Sequence, residues 1–488
     1  MRWHGQAAPP LRGRSTPTHD TLSAARCDGQ PGRWRVLTCM PRTRTLGQSM
    51  GTLPTDAGSM GYFDRSDNVS VILFRRHAVR ALAASAATLA AVLPFNGSPA
   101  SAVIADGTRF YTPKPNHGAI EQIADLTAHG QKGLANQIRA MIRTPQAYWV
   151  TGGSTGHRLS QSIKAVAQQA AGKRTVPVFV AYNIPFRDCA QFSAGGATSV
   201  ASYQSWIDAF AAGIGNHNAV VLLEPDGLGI IPWYTSINGA QEWCKPAEAD
   251  PATAASDRFA MLNYAVDHFT ALPHTSVYLD GTHSAWLGSG DAADRLVRAG
   301  VRKADGFFVN VSNYQTTERQ LKYGEWISKC IYFGTEGPES ARGHFDWCAS
   351  QYFPANPNDF STWVLSDAWY QANVGDVSPD RLAHFVVDTS RNGQGPWTPP
   401  AGNGWPDAQD WCNPPDRGLG ARPTTNTGSA LADAFLWVKI PGESDGQCDR
   451  GTGTGHDPTR GGIADPAAGV WFPQQAVELV RNASPPIG

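Results

Sequence analysis

The sequence predicts an α/β fold, a distorted seven-stranded parallel (β/α) barrel formed by a single domain over residues 103–488. Short apolar runs alternate with longer amphipathic stretches in this part of the chain. That alternation is typical of parallel strands joined by helices. No Ser/Gly-rich or Pro/Thr-rich linker and no internal repeat interrupts it. A chain of 488 residues could hold two or three domains, but this uninterrupted pattern favours one.

Seven apolar runs are predicted to be buried strands, because both faces of a parallel sheet are usually covered. They are residues 147–151, 178–182, 219–224, 276–280, 306–311, 384–388 and 434–439. The amphipathic stretches between them predict helices at 120–142, 160–171, 201–214, 254–271, 289–299 and 379–384.

Residues 74–102 have the features of a secretory signal peptide. Three arginines within 75–80 precede an apolar stretch at 81–93 that is short for a membrane span. The sequence Ala-Ser-Ala at 100–102 then provides a small-x-small cleavage pattern. We therefore expect a secreted, extracellular protein that has no membrane contact once the signal is removed.

Residues 1–73 are interpreted as a non-structural or misassigned N-terminal extension. They contain neither Lys nor Glu and show no amphipathic period. Residues 1–102 together carry 12 Arg and five Asp, while the whole chain has a formal net charge of -1. The predicted domain is therefore acidic. Because nucleic-acid binding needs a concentrated basic face, no nucleic-acid partner is expected. We also expect the protein to be a monomer.

Export predicts that the cysteines of the domain form disulfides. Six fall within it: Cys189, Cys244, Cys330, Cys348, Cys412 and Cys448. Six cysteines allow 15 pairings, and the spacing favours the sequential pairs 189–244, 330–348 and 412–448. No C-x2-C pair or clustered histidine accompanies them, so a zinc site is not expected. No other metal and no cofactor are implied.

Polar residues follow most of the predicted strands at their carboxyl ends. They are Asp188, Asp226, Asp280, Asn310, Asn313, Asp388, Lys439, Glu443 and Asp445. In a parallel barrel these ends share one face, where active sites are built. A single Asp after a strand is usually a turn or cap residue, but carboxylates after five strands predict a multi-carboxylate cleft. Glycoside cleavage is the chemistry that needs paired carboxylates.

Five motifs at predicted strand ends occur in the order found in glycoside hydrolase family 6, and the chain resembles that family. They are AYNIPFRDC at 181–189, LLEPDGLG at 222–229, VYLDGTHSAWL at 277–287, DWCNPPDRGLG at 410–420 and WVKIPGESDG at 437–446. The resemblance runs from about residue 104 to residue 475. It implies the catalytic domain of an inverting cellulase that acts on β-1,4-glucan.

The resemblance implies four catalytic residues. Asp226 matches the general acid, and Asp188 matches an aspartate that supplies nearby negative charge and helps to organise water. Asp445 matches the carboxylate on the other side of the cleaved bond, acting directly or through waters leading to Asp188. Tyr182 matches a tyrosine that crowds the −1 sugar. The residues alone leave an alternative for three of them. Asp226 could cap a following helix, Asp445 could be an ordinary loop aspartate, and Tyr182 could be an aromatic residue that ends a strand.

A second group is predicted to bind sugar along the cleft. It comprises Trp149, Asp280, His283, Trp286, Asn313, Trp411, Lys439 and Glu443. Flat indole faces suit the apolar C–H patches of sugar rings, although core packing explains most tryptophans. An exposed Lys–Glu pair is the alternative for Lys439 and Glu443. No second histidine stands at helical spacing from His283 to make it a zinc ligand.

One departure from the family pattern lies after Cys189, where the chain reads QFSAGGA. The family commonly holds the catalytic water with a serine in this loop. Ser193 is the candidate here, while Ala194 is the other residue that can occupy the position.

Loop lengths bear on the mode of cleavage that the resemblance implies. The segments 188–226 and 411–445 are short, which favours an open cleft and internal cutting. The segment 313–360 is the opposing feature, since it could cover part of the cleft. The alternatives are an exo-acting cellobiohydrolase and a non-catalytic glucan-binding protein.

Overall fold

The structure is a computed structural model that describes residues 104–488. These residues fall within one compact unit. The predicted signal peptide and the predicted N-terminal extension lie outside the described residues. Within 104–488, no helix combines the length and the apolar character needed to cross a membrane.

Seven parallel strands form one sheet, as the sequence predicts. They are β1 (Tyr148–Thr151), β2 (Val178–Tyr182), β3 (Ala219–Leu223), β4 (Thr275–Asp280), β5 (Gly306–Val309), β6 (His384–Asp388) and β7 (Ala432–Leu436). Their order in the sheet is their order in the sequence, and every neighbouring pair is parallel. The α/β parallel fold is therefore confirmed. The predicted seventh strand began two residues too late.

Helices alternate with the strands. They are α1 (His117–Ala128), α2 (Lys132–Arg143), α3 (Gly156–Gly172), α4 (Val200–Ile214), α5 (Ala254–Thr270), α6 (Ser289–Arg298), α7 (Thr317–Glu336), α8 (Val364–Asn373) and α9 (Pro473–Arg481). Short 3₁₀ turns occupy several of the loops. The sequence did not predict α7, α8 or α9.

Two predicted helices were wrong in detail. The stretch 120–142 is not one helix, because Gly130 adopts a left-handed φ of 75° between α1 and α2. Glycine reaches this conformation without the steric cost that other residues meet. The stretch 379–384 holds only a 3₁₀ turn, Pro379–Arg381, and its last residue already belongs to β6.

The sheet curls around a layer of side chains that all face its concave side. Its members include Val180, Leu222, Tyr278, Phe308, Val386 and Ala434. The alternate residues of the same strands, such as Phe179 and Leu279, pack against the helices, because successive strand residues point to opposite faces.

The two edges of the sheet approach each other without pairing as strands. The Ala147 amide donates to the Trp437 carbonyl at 2.9 Å. The Trp149 indole donates to the Val438 carbonyl at 2.8 Å. The seven-stranded sheet begins at β1 and ends at β7. The result is a curled half-barrel.

Three disulfides join the predicted sequential pairs. Cys189–Cys244 links the loop after β2 to the loop after β3. Cys330–Cys348 links α7 to the loop that follows it. Cys412–Cys448 joins the segments on either side of β7. All three therefore fasten loops rather than strands.

Close packing of β5 against β6 predicts that Gly306 cannot be replaced. A Cβ at residue 306 would lie 1.9 Å from the His384 carbonyl oxygen, and backbone atoms cannot move aside cheaply. We expect Gly306→Ala to lower the free energy of unfolding by about 2 kcal/mol or more, measured by urea denaturation. Gly133→Ala is the control, because nothing lies within 4 Å of that position in α2. It should stabilise by roughly 0.5–1 kcal/mol. Equal effects at the two sites would contradict this packing.

Candidate active site

Four carboxylates that follow different strands meet at one rim of the sheet. Burial and three neighbouring carboxylates, Asp280, Asp188 and Asp445, raise the pKa of Asp226 well above its ordinary value of 3.8. Both causes disfavour the charged form of a carboxyl group. The structure therefore brings together the aspartates predicted after β2, β3, β4 and β7.

Asp226 lies in a tight turn immediately after β3. Glu224 and Asp226 adopt left-handed φ angles of 54° and 62°, which non-glycine residues rarely occupy. The next helix, α5, begins only at Ala254. The helix-cap explanation of Asp226 is therefore wrong. Strained backbone of this kind persists only where surrounding contacts hold it.

Glu224 supplies one of those contacts from inside the protein. Its fully buried carboxylate accepts hydrogen bonds from the Asn183 amide at 2.8 Å and the Ile184 amide at 2.9 Å. Burial raises its pKa to about 7, against the opposing effect of the two amides. Glu224 thus ties the end of β2 to the end of β3.

Two buried arginines hold the turn from the helical layer. Arg258 of α5 donates to the Gly227 carbonyl at 2.6 Å and to the Ile230 carbonyl at 2.8 Å. Arg295 of α6 donates to the Leu228 carbonyl at 2.8 Å. Sequence reasoning missed both arginines. The available signal was a charged residue within an apolar helix face, as in Arg258 beside buried Phe259 and Leu262.

Asp188 lies after β2 with a left-handed φ of 59°. Its Oδ2 atom accepts a hydrogen bond from the Ser193 amide at 2.6 Å. Burial raises the pKa of Asp188 to about 6, although the Ser193 amide and Arg187 act in the opposite direction. Ser193 therefore contacts Asp188 through its backbone, and a water-holding role for its hydroxyl stays a prediction.

Tyr182 ends β2 with its ring enclosed by two neighbours. Its centroid lies 5.2 Å from the Trp149 ring in an edge-to-face arrangement, and the Arg187 guanidinium lies 4.3 Å above it. Burial and the charges of Asp226 and Asp188 raise the pKa of Tyr182 well above its usual range. The phenol is therefore a neutral group that faces the carboxylates.

Asp445 has the opposite electrostatic environment. Its carboxylate lies 2.9 Å from Arg391 Nη1 and 3.3 Å from Lys439 Nζ. It also accepts hydrogen bonds from the Tyr314 hydroxyl at 3.1 Å and the Asn413 amide at 3.0 Å. Burial alone would raise the pKa of Asp445, but Arg391 and Lys439 outweigh burial and lower it. Asp445 is therefore held ionised.

Arg391 and Tyr314 are partners of Asp445 that sequence reasoning missed. Arg391 follows β6 by three residues in the sequence DTSR, and its side chain is fully buried. A charged residue just beyond a buried strand was the available signal, as it was for the aspartates. Tyr314 gave no comparable signal.

Asp280 ends β4 and borders the Asp226 turn, and His283 and Trp286 lie in the loop that follows. Asp280 accepts hydrogen bonds from the Thr282 and Leu228 amides at 2.9 and 3.4 Å, and burial raises its pKa to about 6. Burial lowers the pKa of His283, whose ring lies 5.7 Å from Trp286.

The Trp286 ring covers the backbone of the Asp226 turn at Gly229. A Cβ at position 229 would lie 2.4 Å from the indole. Only a residue without a side chain leaves room for the indole in this position. Trp286 is therefore packed against the segment that carries Asp226.

Lys439 and Glu443 do not form the exposed pair considered as their alternative. Lys439 binds Asp445 instead. Glu443 accepts a hydrogen bond from Asn116 at 2.9 Å, and burial raises its pKa. Both side chains are partly buried beside Asp445.

Trp411 and Asn313 are partly exposed. The Trp411 ring lies 6.0 Å from that of Phe192. The Asn313 side chain accepts a hydrogen bond from the Tyr314 amide at 2.9 Å. Through Tyr314, Asn313 lies beside the Asp445 network. Between residues 104 and 488, no group of three or more His, Cys, Asp or Glu side chains is arranged to hold a metal ion.

The chain is similar to known proteins in sequence and in fold. The sequence model described as glycosyl hydrolases family 6 matches residues 105–483. Endoglucanase 1 of Streptomyces halstedii is 35% identical over 351 residues, covering 71% of this chain and 82% of the relative. A probable 1,4-beta-D-glucan cellobiohydrolase C of Aspergillus terreus is 33% identical, covering 66% and 63%.

Other relatives are longer than the matched region. Endoglucanase A of Cellulomonas fimi is 33% identical over 71% of this chain, but the match spans only 56% of that relative's length. Among solved structures, the endoglucanase Cel6 from Mycobacterium tuberculosis, in complex with methyl-cellobiosyl-4-deoxy-4-thio-β-D-cellobioside, is similar with a TM-score of 0.54 and 31% identity. The alignment covers 77% of this chain and 97% of that one.

The family model covers nearly all of the described residues, and it includes every aspartate at the rim of the sheet. Together with the parallel half-barrel, this match shows that the chain belongs to glycosyl hydrolases family 6.

Proposed function

We propose that this protein is a secreted endo-β-1,4-glucanase that hydrolyses internal bonds of cellulose-type glucans with inversion, and that Asp226 is its general acid. The observation that carries the proposal is the contrast between two buried carboxyl groups. Asp226 lies near three other carboxylates, which raise its pKa, whereas Asp445 lies 2.9 Å from Arg391 Nη1 and 3.3 Å from Lys439 Nζ, which lower its pKa. Two carboxyl groups whose surroundings separate their pKa values are suited to the acid and base roles of one reaction.

In the proposed reaction, protonated Asp226 donates its proton to the glycosidic oxygen as the bond to the anomeric carbon breaks. A water attacks that carbon from the opposite face and loses a proton to a carboxylate. Asp445 is available to accept this proton, because Arg391 and Lys439 keep it in its ionised form. Asp188 is the alternative acceptor, through intervening water. Attack from the opposite face inverts the anomeric configuration.

The residues around the carboxylates have properties that suit sugar binding. Trp149, Trp286 and Trp411 are partly exposed, so an indole face can stack on a sugar ring. Tyr182 is a neutral phenol beside the two aspartates and would crowd the sugar at the cleaved bond. Asn313, Lys439 and Glu443, with Asp280 and His283, would hydrogen-bond hydroxyl groups.

Internal cleavage is supported by similarity to the endoglucanases of Streptomyces halstedii and Cellulomonas fimi. An exo-acting cellobiohydrolase is the second candidate, because the chain is also similar to the probable cellobiohydrolase of Aspergillus terreus. The loss of viscosity of carboxymethyl-cellulose, relative to the reducing ends released, separates the two. A fast loss supports internal cutting, while a slow loss supports exo action.

Secretion is supported by the three disulfides, because such bonds persist in oxidising compartments outside the cytosol. A non-catalytic glucan-binding protein would have no use for a carboxyl group of raised pKa at the centre of its site. Glucan binding without any bond cleavage would favour that third function.

Replacing the general acid tests the proposal. We expect Asp226→Asn to lower kcat on unactivated cellotetraose by about 10²- to 10⁴-fold, because no proton reaches the leaving oxygen. The KM, or the affinity measured by calorimetry, should change little. Asp376→Asn is the control, since Asp376 is exposed and precedes β6, whereas the rim lies at the carboxyl ends of the strands. Substantial residual turnover in Asp226→Asn would overturn the assignment.

The alkaline limb of the pH–activity profile tests the cause of the shift at Asp226. Activity needs the protonated acid, so it should fall as pH rises through the pKa of Asp226. Asp188→Asn removes a charge that raises this pKa, so we expect the limb to move to lower pH. An unchanged limb in Asp188→Asn would contradict this coupling, and Asp376→Asn again serves as the control.

The acid limb of the pH–activity profile tests which carboxylate accepts the proton from the attacking water. Arg391→Gln removes the strongest charged partner of Asp445, which raises its pKa. We expect the acid limb of kcat/KM to move to higher pH, because Asp445 must be ionised to act as base. Thermal unfolding measured beside it verifies that the variant is folded. An unmoved limb in folded enzyme would transfer the base role to Asp188.

A further inference from the structure

Three aromatic side chains are exposed in the loop between α7 and α8. Trp347, Tyr352 and Phe353 expose 50%, 42% and 79% of their surface. Large apolar side chains exposed together often mark a binding surface. We call these three residues the aromatic platform.

The turn that carries the platform is fastened to the loop after β4. Tyr352 donates its hydroxyl hydrogen to the Trp286 carbonyl at 3.0 Å. Gln351 donates to the Leu287 carbonyl at 2.8 Å, and the Ser289 hydroxyl donates to the Ala349 carbonyl at 2.6 Å. The aromatic rings are therefore presented by a braced turn, which lowers the entropy lost when a ligand binds.

A groove of about 390 Å³ lies beside two residues of the platform. Trp347 and Phe353 line it, together with Ile237, Asn238 and Trp369. The His344 ring stacks on the Trp347 ring at 4.0 Å. The Cys330–Cys348 disulfide fixes the residue after Trp347 to α7. Flat rings and one amide thus share a single shallow surface.

The charges in the groove exclude an anionic ligand. Its charged lining residues are Asp291 and Asp346, and its lining contains neither Lys nor Arg. Asp291 is neutralised by Arg295 at 3.0 Å, and Asp346 lies 3.5 Å from His344. A phosphate or nucleic acid would find no cation here. A neutral ligand with apolar faces and hydroxyl groups fits this lining.

We propose that the aromatic platform binds the part of a β-glucan chain that extends past Trp286, beyond the end of the cleft. This inference rests on the proposed function, because the ligand is the glucan that the cleft is proposed to cleave. Tyr352 bonds directly to the backbone of Trp286, so the two surfaces adjoin. Sugar rings that pass Trp286 would stack next on Tyr352 and Phe353. The platform would then favour long chains and swollen cellulose over short oligosaccharides.

Binding measured on ice to phosphoric-acid-swollen cellulose tests the platform. We expect Phe353→Ala to raise the dissociation constant for swollen cellulose roughly fivefold. The dissociation constant for soluble cellotriose should rise less than twofold. Phe353→Leu should weaken binding to swollen cellulose as much as Phe353→Ala does, because leucine is apolar but has no flat face. Ile120→Ala removes an apolar side chain of α1 that is 48% exposed, and it should bind as the unaltered protein does.

Three results would overturn the platform. The first is unchanged binding to swollen cellulose in Phe353→Ala, and the second is full binding in Phe353→Leu. The third is self-association of the unaltered protein that Phe353→Ala abolishes, because a second copy of the chain would then occupy the platform. Hydrolysis of cellotetraose by the unaltered protein is measured in parallel. Hydrolysis without adsorption to swollen cellulose overturns the platform alone. Absence of both overturns the proposed function, and the platform with it.

Discussion

Two carboxyl groups at the rim of one sheet are given opposite protonation by their surroundings. Asp226 is buried among other carboxylates, which favour its neutral form. Asp445 is buried against Arg391 and Lys439, which favour its charged form. The residue type is the same, and only the neighbouring charges differ. The proposed acid and base roles both depend on this difference.

The opposite states require that the loops after several strands be held in fixed positions. Asp188, Glu224 and Asp226 all adopt left-handed backbone angles, each costing of order 1–3 kcal/mol. Buried groups stabilise these turns, with Glu224 bound to the loop after β2 and Arg258 bound to the loop after β3. The disulfide Cys189–Cys244 joins the same two loops. These buried groups and this disulfide therefore position the rim.

The sequence predicted the sheet well, because a strand covered on both faces is an uninterrupted apolar run. Helices were harder to predict. The helix α7 was missed because two glycines, Gly324 and Gly334, interrupt its buried face with residues of low helix propensity. The helices α1 and α2 were merged across Gly130. Aspartates at the rim could be predicted from their position after strands. Arg391 and Arg258 gave a comparable signal, a charged residue beside buried apolar ones, but their partners are distant in sequence and only the folded chain brings them near. Tyr314 gave no such signal, because its importance comes entirely from its contact with Asp445.

The anomer first released from cellopentaose tests the account most directly. Proton NMR spectra recorded in the first minutes of hydrolysis distinguish the α and β forms before they equilibrate. A buried acid on one face and water attack on the other predict that the α anomer appears first. If the β anomer appeared first, the configuration would be retained, and the separate roles of Asp226 and Asp445 would be contradicted.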